Sequence, residues 1–265
     1  MAHFGKTALI TGASSGIGYE LTRLFAKDGY DLVLVARSEK QLVELAKELQ
    51  EKFGVAVRVM VKDLSQASAP EEVFNELQQE GVTVDVLVNN AGFATSGLFA
   101  EIDLEAELQE MQLNMVTLTH LTKLFLPGML QRRRGKILNV ASTAAFQPGP
   151  LMAVYYATKA YVLSFSEALA NELRGTGVSV TVLCPGATTS GFQARAGIEN
   201  TRLISGRKIM DAARVARVGY RALMRGKTVV IPGLMNKILA EAVRFAPRKV
   251  VTQAARYAQE SVNKE

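Results

Sequence analysis

Short, nearly continuous apolar runs constrain the fold of this chain more than any other feature. Two of them read LVLVA at 32–36 and VDVLV at 84–88, with almost no polar residue to mark a solvent-facing side. Strands buried on both faces have this composition, and they occur in parallel sheets covered by helices. Amphipathic helical stretches separate the runs. This alternation of strand and helix predicts a doubly wound α/β fold.

Seven strands and six helices are predicted before the last thirty or so residues. The strands are expected at 7–11, 31–36, 55–61, 84–89, 135–141, 178–184 and 227–231. The helices are expected at 16–28, 39–53, 70–80, 104–131, 153–174 and 211–225. No repeat, low-complexity block or linker interrupts this order. We therefore expect one Rossmann-like domain over residues 1–265, with a seven-stranded parallel sheet and helices on both faces.

Composition narrows the class of protein. The chain has 265 residues, 48% of them hydrophobic, which is ample material for a core. One cysteine, Cys184, excludes an internal disulfide framework, and no Cys/His cluster suggests a metal site. The brief apolar run at the N-terminus is too short for a signal peptide or a membrane span, so we expect a cytoplasmic protein.

The net charge of +6 and the pI of about 9.4 admit several partners. Basic residues are mostly scattered along the chain. We therefore favour an anionic cofactor or substrate, or simply a basic surface, and expect no nucleic-acid partner.

A glycine-rich turn follows the first strand. The sequence TGASSGIG at 11–18 passes from a predicted strand into a predicted helix. Gly12 can make the tight turn, Gly16 can leave room for a phosphate, and Gly18 can let the helix pack on the strand. The helix N-terminus then offers free N–H groups to a pyrophosphate. A tight turn alone is the alternative, but the position of the turn favours a nucleotide site.

The end of the second strand indicates which nicotinamide cofactor is used. NAD sites usually place Asp or Glu there to bind the ribose hydroxyls, whereas this chain has Arg37 and Ser38. A guanidinium can bind a 2′-phosphate through two charge-assisted hydrogen bonds. We predict NADP(H) over NAD(H), with a surface arginine capping the strand as the alternative.

Taken in order, further motifs resemble the short-chain dehydrogenase/reductase family over residues 6–233. Besides TGASSGIG, they are Asp63-Leu64, the NNAG at 89–92, Asn114, Ser142, Tyr155-x-x-x-Lys159, and Pro185-Gly186 with Thr189. The resemblance implies a catalytic tetrad of Asn114, Ser142, Tyr155 and Lys159. It also implies a cofactor site formed by Gly12, Ser14, Ser15, Gly16, Ile17, Gly18, Arg37, Ser38, Asp63, Leu64, Asn90, Ala91, Gly92, Tyr155, Lys159, Pro185, Gly186 and Thr189.

Tyr155 is the phenol that the pattern singles out. It lies four residues before Lys159 in a helical stretch, so the two share a face, whereas Tyr156 points about 100° away. A free tyrosine has a pKa of about 10 and must drop by roughly three units to act near neutrality, with help from an ammonium. The resemblance implies that Tyr155 protonates a carbonyl, Ser142 holds its oxygen, Lys159 lowers the Tyr155 pKa, and Asn114 positions a water that resupplies the proton.

The substrate side is less defined. The family resemblance implies that a segment at about 189–210 closes over the substrate. Its apolar residues Phe192, Ile198, Leu203, Ile204 and Met210 suggest a substrate with an apolar body, and its cations Arg195, Arg202, Arg207 and Lys208 suggest an anionic end as an option. Phe146, Leu151 and Met152 are predicted to line the pocket mouth. The basic amphipathic tail at about 234–265, broken at Pro247, is predicted to pack across the sheet edge or a partner subunit, or else to contact an anionic membrane.

These features favour an NADPH-dependent carbonyl reductase acting on a small-molecule ketone or aldehyde. An NADP-dependent alcohol or hydroxysteroid dehydrogenase working in the oxidative direction is the first alternative. A nucleotide-binding sensor without catalysis is the second, and an isomerase or dehydratase using the same Tyr/Lys pair is a third. The resemblance also implies a homodimer or homotetramer that pairs the helices at 104–131 and 153–174.

Overall fold

A seven-stranded parallel sheet with the order β3-β2-β1-β4-β5-β6-β9 organises the computed structural model, which describes residues 5–205 and 209–262. The strands are β1 (Thr7–Thr11), β2 (Asp31–Ala36), β3 (Val57–Val61), β4 (Val84–Asn89), β5 (Gly135–Val140), β6 (Val178–Leu183) and β9 (Val229–Val230). The strand order reverses between β1 and β4. Ligands of doubly wound sheets bind beyond the carboxyl ends of the strands at such a point.

Helices cover both faces of the sheet. The main ones are α1 (Gly16–Lys27), α2 (Glu39–Phe53), α3 (Ala69–Gln79), α4 (Leu104–Met111), α5 (Leu118–Gln131), α6 (Ala153–Glu172) and α8 (Ala212–Met224). Ile10 and Leu34 pack in one core with α1, α2 and α8, while their neighbours Leu9 and Val35 pack in a second core with α3, α5 and α6. Every residue of β1 and β2 is therefore buried, which explains why their sequences are nearly all apolar.

The fold class predicted from the sequence is confirmed, and most element ends agree within two residues. One strand is shorter than predicted, and one predicted helix is interrupted. The last sheet strand, expected over 227–231, pairs with β6 only through Val229 and Val230. The single helix expected over 104–131 is interrupted by a π-helical turn, Gln112–Thr117, between α4 and α5. A wide turn of this kind leaves the apolar pattern almost unchanged, so periodicity does not detect it.

Several smaller elements lie beyond β6, and of these the sequence predicted only the helical character of the tail at 234–265. They are β7 (Thr188–Thr189), α7 (Phe192–Ala196), β8 (Met210–Asp211), α9 (Leu234–Ala242), a 3₁₀ turn (Val243–Phe245) and α10 (Arg248–Gln259). Pro247 separates the 3₁₀ turn from α10, as expected for a proline at a helix start. Across residues 5–205 and 209–262, no helix is long and apolar enough to span a bilayer, and no group of three or more His, Cys, Asp or Glu is placed to hold a metal ion.

Candidate active site

The turn after β1 is packed closely against the start of the loop after β4. Gly12 has a φ of +65°, and a Cβ there would lie 2.8 Å from the side-chain nitrogen of Asn90. That nitrogen donates to the carbonyl oxygens of Thr11 at 2.9 Å and Gly12 at 3.2 Å. A Cβ on Gly18 would overlap the Gly12 carbonyl oxygen. The turn therefore needs glycine at both positions, and Asn90 braces it across the switch point.

The N-terminus of α1 meets this turn with unpaired donors. Ser15, the N-cap residue, has an extended backbone and makes no side-chain capping bond. The first turn of α1 also has no acidic residue. Its N–H groups and the positive end of the helix dipole are thus available to an anion, and the missing side chain of Gly16 leaves room for it. These features fit the pyrophosphate of a dinucleotide.

A cavity of about 1600 Å³ runs along the carboxyl ends of the strands. This volume exceeds that of an ordinary small-ligand pocket and suits a dinucleotide together with a substrate. Most residues of the predicted cofactor site line it: Gly12, Ser14, Ser15, Gly16, Ile17, Arg37, Ser38, Asp63, Leu64, Asn90, Ala91, Gly92, Tyr155, Lys159, Pro185 and Gly186.

Two predicted cofactor residues lie outside the cavity wall. Gly18 is buried beneath the glycine turn, where its role is packing. Thr189 is exposed on β7, whereas its neighbours Thr188 and Ser190 line the cavity. Successive residues of an extended chain point to opposite sides, so the cavity is reached by the residues on either side of Thr189. The family motif alone did not reveal this alternation.

Arg37, which follows β2, lines the cavity with an exposed side chain. Lys62 also lines the cavity, but its ammonium is engaged by Glu72 and Glu76, each at 2.8 Å. The carboxylate of Asp63 accepts hydrogen bonds from the backbone and hydroxyl of Ser65. The side chain of Arg37 is exposed, and neither Lys62 nor Asp63 directs its hydrogen bonds to it.

Three members of the predicted tetrad meet in the middle of the cavity. Tyr155 and Lys159 lie one turn apart on α6, 9% and 6% exposed. The Lys159 Nζ lies 5.7 Å from the centre of the Tyr155 ring and donates to the Val140 carbonyl oxygen at 3.0 Å. Ser142, which follows β5, lies close enough to the Tyr155 phenol to influence its pKa, and its own hydroxyl donates to the Pro185 carbonyl oxygen at 3.4 Å. The ends of β5 and α6 thus place hydroxyl, phenol and ammonium together.

Asn114, the fourth member, lies behind the cavity wall. It is 1% exposed, and a Cβ on Gly92 would lie 2.8 Å from its Oδ1. Its amide exchanges two hydrogen bonds with the backbone of Phe93, and its Nδ2 also donates to Thr158 Oγ1 at 3.1 Å. The π-helical turn holds Asn114 at this point. Such turns often occur at functional sites.

The pKa values correct one expectation. Burial raises the pKa of the Tyr155 phenol well above its ordinary value, although the Ser142 hydroxyl acts in the opposite direction. Burial also lowers the pKa of Lys159 to about 8, against the negative charge of Glu110. We expected Lys159 to lower the Tyr155 pKa. In the protein by itself desolvation of both groups dominates, so the phenol stays protonated.

The substrate side of the cavity is apolar around Tyr155. The Phe192 ring centre lies 5.4 Å from that of Tyr155, and Met152 and Ile198 pack in the same cluster. Leu203, Ile204 and Met210 also line the cavity, as predicted. Phe146 and Leu151 are absent from the wall, so that part of the prediction is wrong. Arg207 and Lys208 lie outside the described residues.

The C-terminal segment, residues 234–262, forms the far wall of the cavity. Leucines and small residues of α9 and α10 line it, and Gln259 Nε2 donates to the Tyr156 hydroxyl at 2.6 Å. Backbone hydrogen bonds join Leu203 to Ala258 at 2.8 Å and Val262 to Asn200 at 2.8 Å. Rather than lying across the sheet edge, the segment packs on residues 200–203 and reaches the catalytic helix. Nothing in the sequence pattern signalled this contact.

Comparison with known proteins identifies the family. The model of the short chain dehydrogenase family matches residues 6–201. The chain belongs to the short-chain dehydrogenase family. Among its relatives, a very-long-chain 3-oxoacyl-CoA reductase from Anas platyrhynchos is 36% identical over 187 residues, 68% of this chain and 59% of the relative. The ketoacyl reductase HetN from a Nostoc strain is 38% identical over 185 residues, 69% of this chain and 63% of the relative. The chain thus matches about three fifths of the length of these relatives.

A solved structure extends the likeness beyond the family match. The short-chain dehydrogenase from Sphingobium yanoikuyae, determined in complex with NADPH, superposes with a TM-score of 0.83 at 35% identity. The alignment covers 97% of this chain and 99% of that one. An alcohol dehydrogenase from the archaeon Thermococcus sibiricus, solved in complex with 5-hydroxy-NADP, is 27% identical with a TM-score of 0.74, over 85% of this chain and 95% of that one.

Proposed function

We propose that this protein is an NADPH-dependent carbonyl reductase that converts a ketone or aldehyde with an apolar body into an alcohol. The buried phenol of Tyr155, with Ser142 and Lys159 beside it, is the observation that carries the proposal. Burial favours the protonated phenol, which is the form needed to donate a proton to a carbonyl oxygen. The same chemistry in reverse is the oxidation of an alcohol.

The roles of the side chains follow from their positions. The bound cofactor supplies the hydride that is added to the carbonyl carbon. The Ser142 hydroxyl holds the carbonyl oxygen, and Tyr155 donates its proton to that oxygen as negative charge develops there. The Lys159 ammonium, 5.7 Å from the phenol ring centre, stabilises the phenolate that remains. Apolar contacts of Phe192 and Met152 exclude water from the reacting carbonyl.

The proton lost by Tyr155 is restored from the inner side of the site. Lys159 lines the cavity, and Asn114 lies directly behind Gly92. The Asn114 amide is fixed by Phe93 and Thr158, so it can hold a water in one orientation. We assign Asn114 to this positioning role and Lys159 to proton supply.

The preference for NADPH rests on Arg37. A guanidinium at the end of β2 binds a 2′-phosphate, and this position lacks the carboxylate that would repel the phosphate. The NADPH complex of the Sphingobium relative supports the assignment. Pro185 and Gly186, at the end of β6, would hold the nicotinamide end near Tyr155.

An acyl chain is the apolar body that the cavity suits best. Its far wall is built from α9 and α10, and the cavity is larger than a nicotinamide dinucleotide and a small ketone require. Curated relatives are named as 3-oxoacyl-CoA and ketoacyl reductases. We therefore propose 3-oxoacyl thioesters or esters as the first substrates to test.

The deciding experiment follows NADPH oxidation by absorbance with a panel of carbonyl compounds. The panel should run from small diketones and aryl aldehydes to steroids and 3-oxoacyl thioesters of increasing chain length, with NADH in parallel. We expect turnover with NADPH, a much lower rate with NADH, and higher kcat/KM for longer acyl chains. Tight NADPH binding without turnover of any ketone would favour a nucleotide-sensing role.

We further propose that the chain assembles as a homodimer or homotetramer. Large apolar side chains are exposed on α4 and the helices beside it: Leu104, Leu108, Met111, Val116 and Tyr161. Exposed apolar residues grouped on adjacent helices are typical of a subunit contact. Sedimentation velocity of the wild type and of Leu108→Glu tests this, because a subunit contact predicts a shift toward monomer in the variant.

The cytoplasmic location stays a prediction.

A further inference from the structure

Glu110 is a buried carboxyl group that the mechanism above does not use. It lies on α4 one turn before Asn114 and is 0% exposed. Its Oε2 accepts hydrogen bonds from the backbone N–H and the hydroxyl of Thr95, at 2.7 and 2.8 Å. Its Oε1 is buried and has no hydrogen-bond partner among the described residues. A carboxyl with one bare oxygen is costly to bury unless its charge serves a purpose.

The ionisable groups around Glu110 indicate which residue its charge affects. Glu107 on the same helix and Lys159 on α6 are the ionisable groups that act on it. Lys159 in turn is influenced by Glu110 and by the Cys184 thiol at the end of β6, and it faces Tyr155. Of these groups, Lys159 alone can carry a positive charge. Glu110 and Lys159 are thus two buried groups of opposite charge that influence each other's pKa, and Lys159 lies beside the Tyr155 phenol.

The two charges support each other against burial. Desolvation lowers the pKa of Lys159, and the negative charge of Glu110 raises it again. Burial raises the pKa of Glu110, whereas the Thr95 hydrogen bonds and Lys159 lower it. Without Glu110, desolvation of the ammonium would be opposed only by weaker partners.

Thr95 adds a mechanical link. The loop after β4 carries Phe93, which bonds to the Asn114 amide, and Thr95, which bonds to Glu110. Two side chains one helical turn apart thus hold the same short loop against the π-helical turn. The Glu110 carboxyl group therefore binds the loop that also holds Asn114, and from the same position it raises the pKa of Lys159.

We propose that Glu110 is a positioning residue for carbonyl reduction: its carboxylate keeps the Lys159 ammonium charged beside Tyr155 and anchors the loop that holds Asn114. This inference rests on the proposed function, because it assigns Glu110 to the proton supply of that reaction. Glu110 contacts neither substrate nor the reacting atoms, and it acts through Lys159 and Asn114.

The test is the pH profile of kcat/KM for ketone reduction in the wild type, Glu110→Gln, Glu110→Asp and Glu107→Gln. Glutamine keeps the size of the side chain and an oxygen for Thr95, so E110Q removes the charge alone. The wild type should lose activity above about pH 8, where Lys159 gives up its proton. In E110Q this alkaline limb should move to lower pH by about one unit.

The other variants are controls for a structural effect. E110D keeps the charge and should keep the limb at its wild-type position. E107Q removes a carboxyl that is 5% exposed on the same helix and should also leave the limb in place. Coincident profiles for E110Q and the wild type, or an equal shift in E107Q, would overturn the inference.

A second readout does not need turnover. Lys159 lines the cavity where the cofactor is proposed to bind, so NADPH affinity should fall as Lys159 loses its charge. NADPH fluorescence titrations across pH should show that fall at lower pH in E110Q than in E107Q. If the wild type reduces no ketone, the proposed function fails, and these titrations still decide the role of Glu110: an unchanged profile in E110Q rejects it.

Discussion

The strand-end half of the cavity and its C-terminal wall are held in place by different kinds of contact. In the strand-end half, Asn90, Ser142 and Lys159 are fixed by hydrogen bonds to backbone atoms of neighbouring strands or turns. The C-terminal wall exposes Leu234 at 76% and Phe245 at 89% of their surfaces, and backbone pairing at residues 200–203 joins it to the rest. The rigid half suits chemistry that demands fixed distances, and the wall suits substrates of differing shape.

The family match divides the molecule at nearly the same place. The short-chain dehydrogenase model ends at residue 201, just where the C-terminal wall is attached. Curated relatives likewise cover about two thirds of the chain. The family match therefore covers the sheet as far as β6 and leaves out most of the C-terminal wall. Substitutions in the strand-end half of the cavity should impair catalysis or folding, whereas substitutions in the C-terminal wall should alter substrate preference.

Tyr155→Phe should show the largest effect. The variant loses the proton donor but keeps the ring that packs on Phe192, so NADPH binding should be retained. General acid catalysis contributes about 10²–10⁴-fold, and we expect carbonyl reduction to fall by about 10³-fold. Steady-state NADPH oxidation and fluorescence binding measure the two quantities. Full activity in this variant would contradict the mechanism.

Gly18→Ala tests the rigidity of the strand-end half. A Cβ at this position overlaps the backbone oxygen of Gly12, which cannot move without disturbing the turn. We expect a loss of about 3 kcal/mol in unfolding free energy and weak NADPH binding, measured by urea unfolding and fluorescence. Gly81→Ala is the control for backbone strain without overlap, since Gly81 has a φ of +69° but nothing lies within 4 Å of the new atom, whereas Gly18 lies in the helical backbone of α1. Equal effects of the two substitutions would argue against close packing at Gly18.

Arg37→Ala should change the choice of cofactor. Charge-assisted hydrogen bonds contribute about 1.5–3 kcal/mol, so kcat/KM for NADPH should fall by roughly 10- to 100-fold. The value for NADH should hardly change, because it has no 2′-phosphate. Parallel kinetics with both cofactors give the ratio. Lys47→Ala, an exposed lysine on α2 away from the cavity wall, provides the control for loss of a surface cation. An unchanged ratio in R37A would remove Arg37 from the proposed cofactor site.

Gln259→Leu should show the smallest effect and should act on substrate alone. It removes the hydrogen bond to the Tyr156 hydroxyl while keeping similar bulk in the wall. Loss of one such bond corresponds to about a fivefold change, which we expect in KM for long-chain ketones. Small diketones, which do not reach the wall, should be unaffected. A similar fall in kcat for all substrates would show that the wall is coupled to the chemistry.

The sequence alone predicted the sheet, the glycine turn and three of the tetrad's positions in the cavity. This was possible because strand burial and phosphate binding demand particular residue types at neighbouring positions. LVLVA at 32–36 can hardly be anything but a doubly covered strand, and glycine at 18 is required by the carbonyl oxygen of Gly12, a few residues away. Requirements of this kind restrict the residue types within a short segment, so the segment's sequence reveals them.

Tertiary structure decided the features that depend on residues far apart in the chain. Asn114 reaches its place through a π-helical turn that periodicity does not reveal, and Thr188 and Ser190 rather than Thr189 face the cavity. Burial, which exists only in the folded chain, raises the pKa of Tyr155 and lowers that of Lys159, and the sequence does not reveal either effect. Glu110 lies 49 residues from Lys159, and Gln259 lies 103 residues from Tyr156, so no local pattern links either pair. Their roles follow from packing, because only the folded sheet brings α4, α6 and α10 to the same cavity.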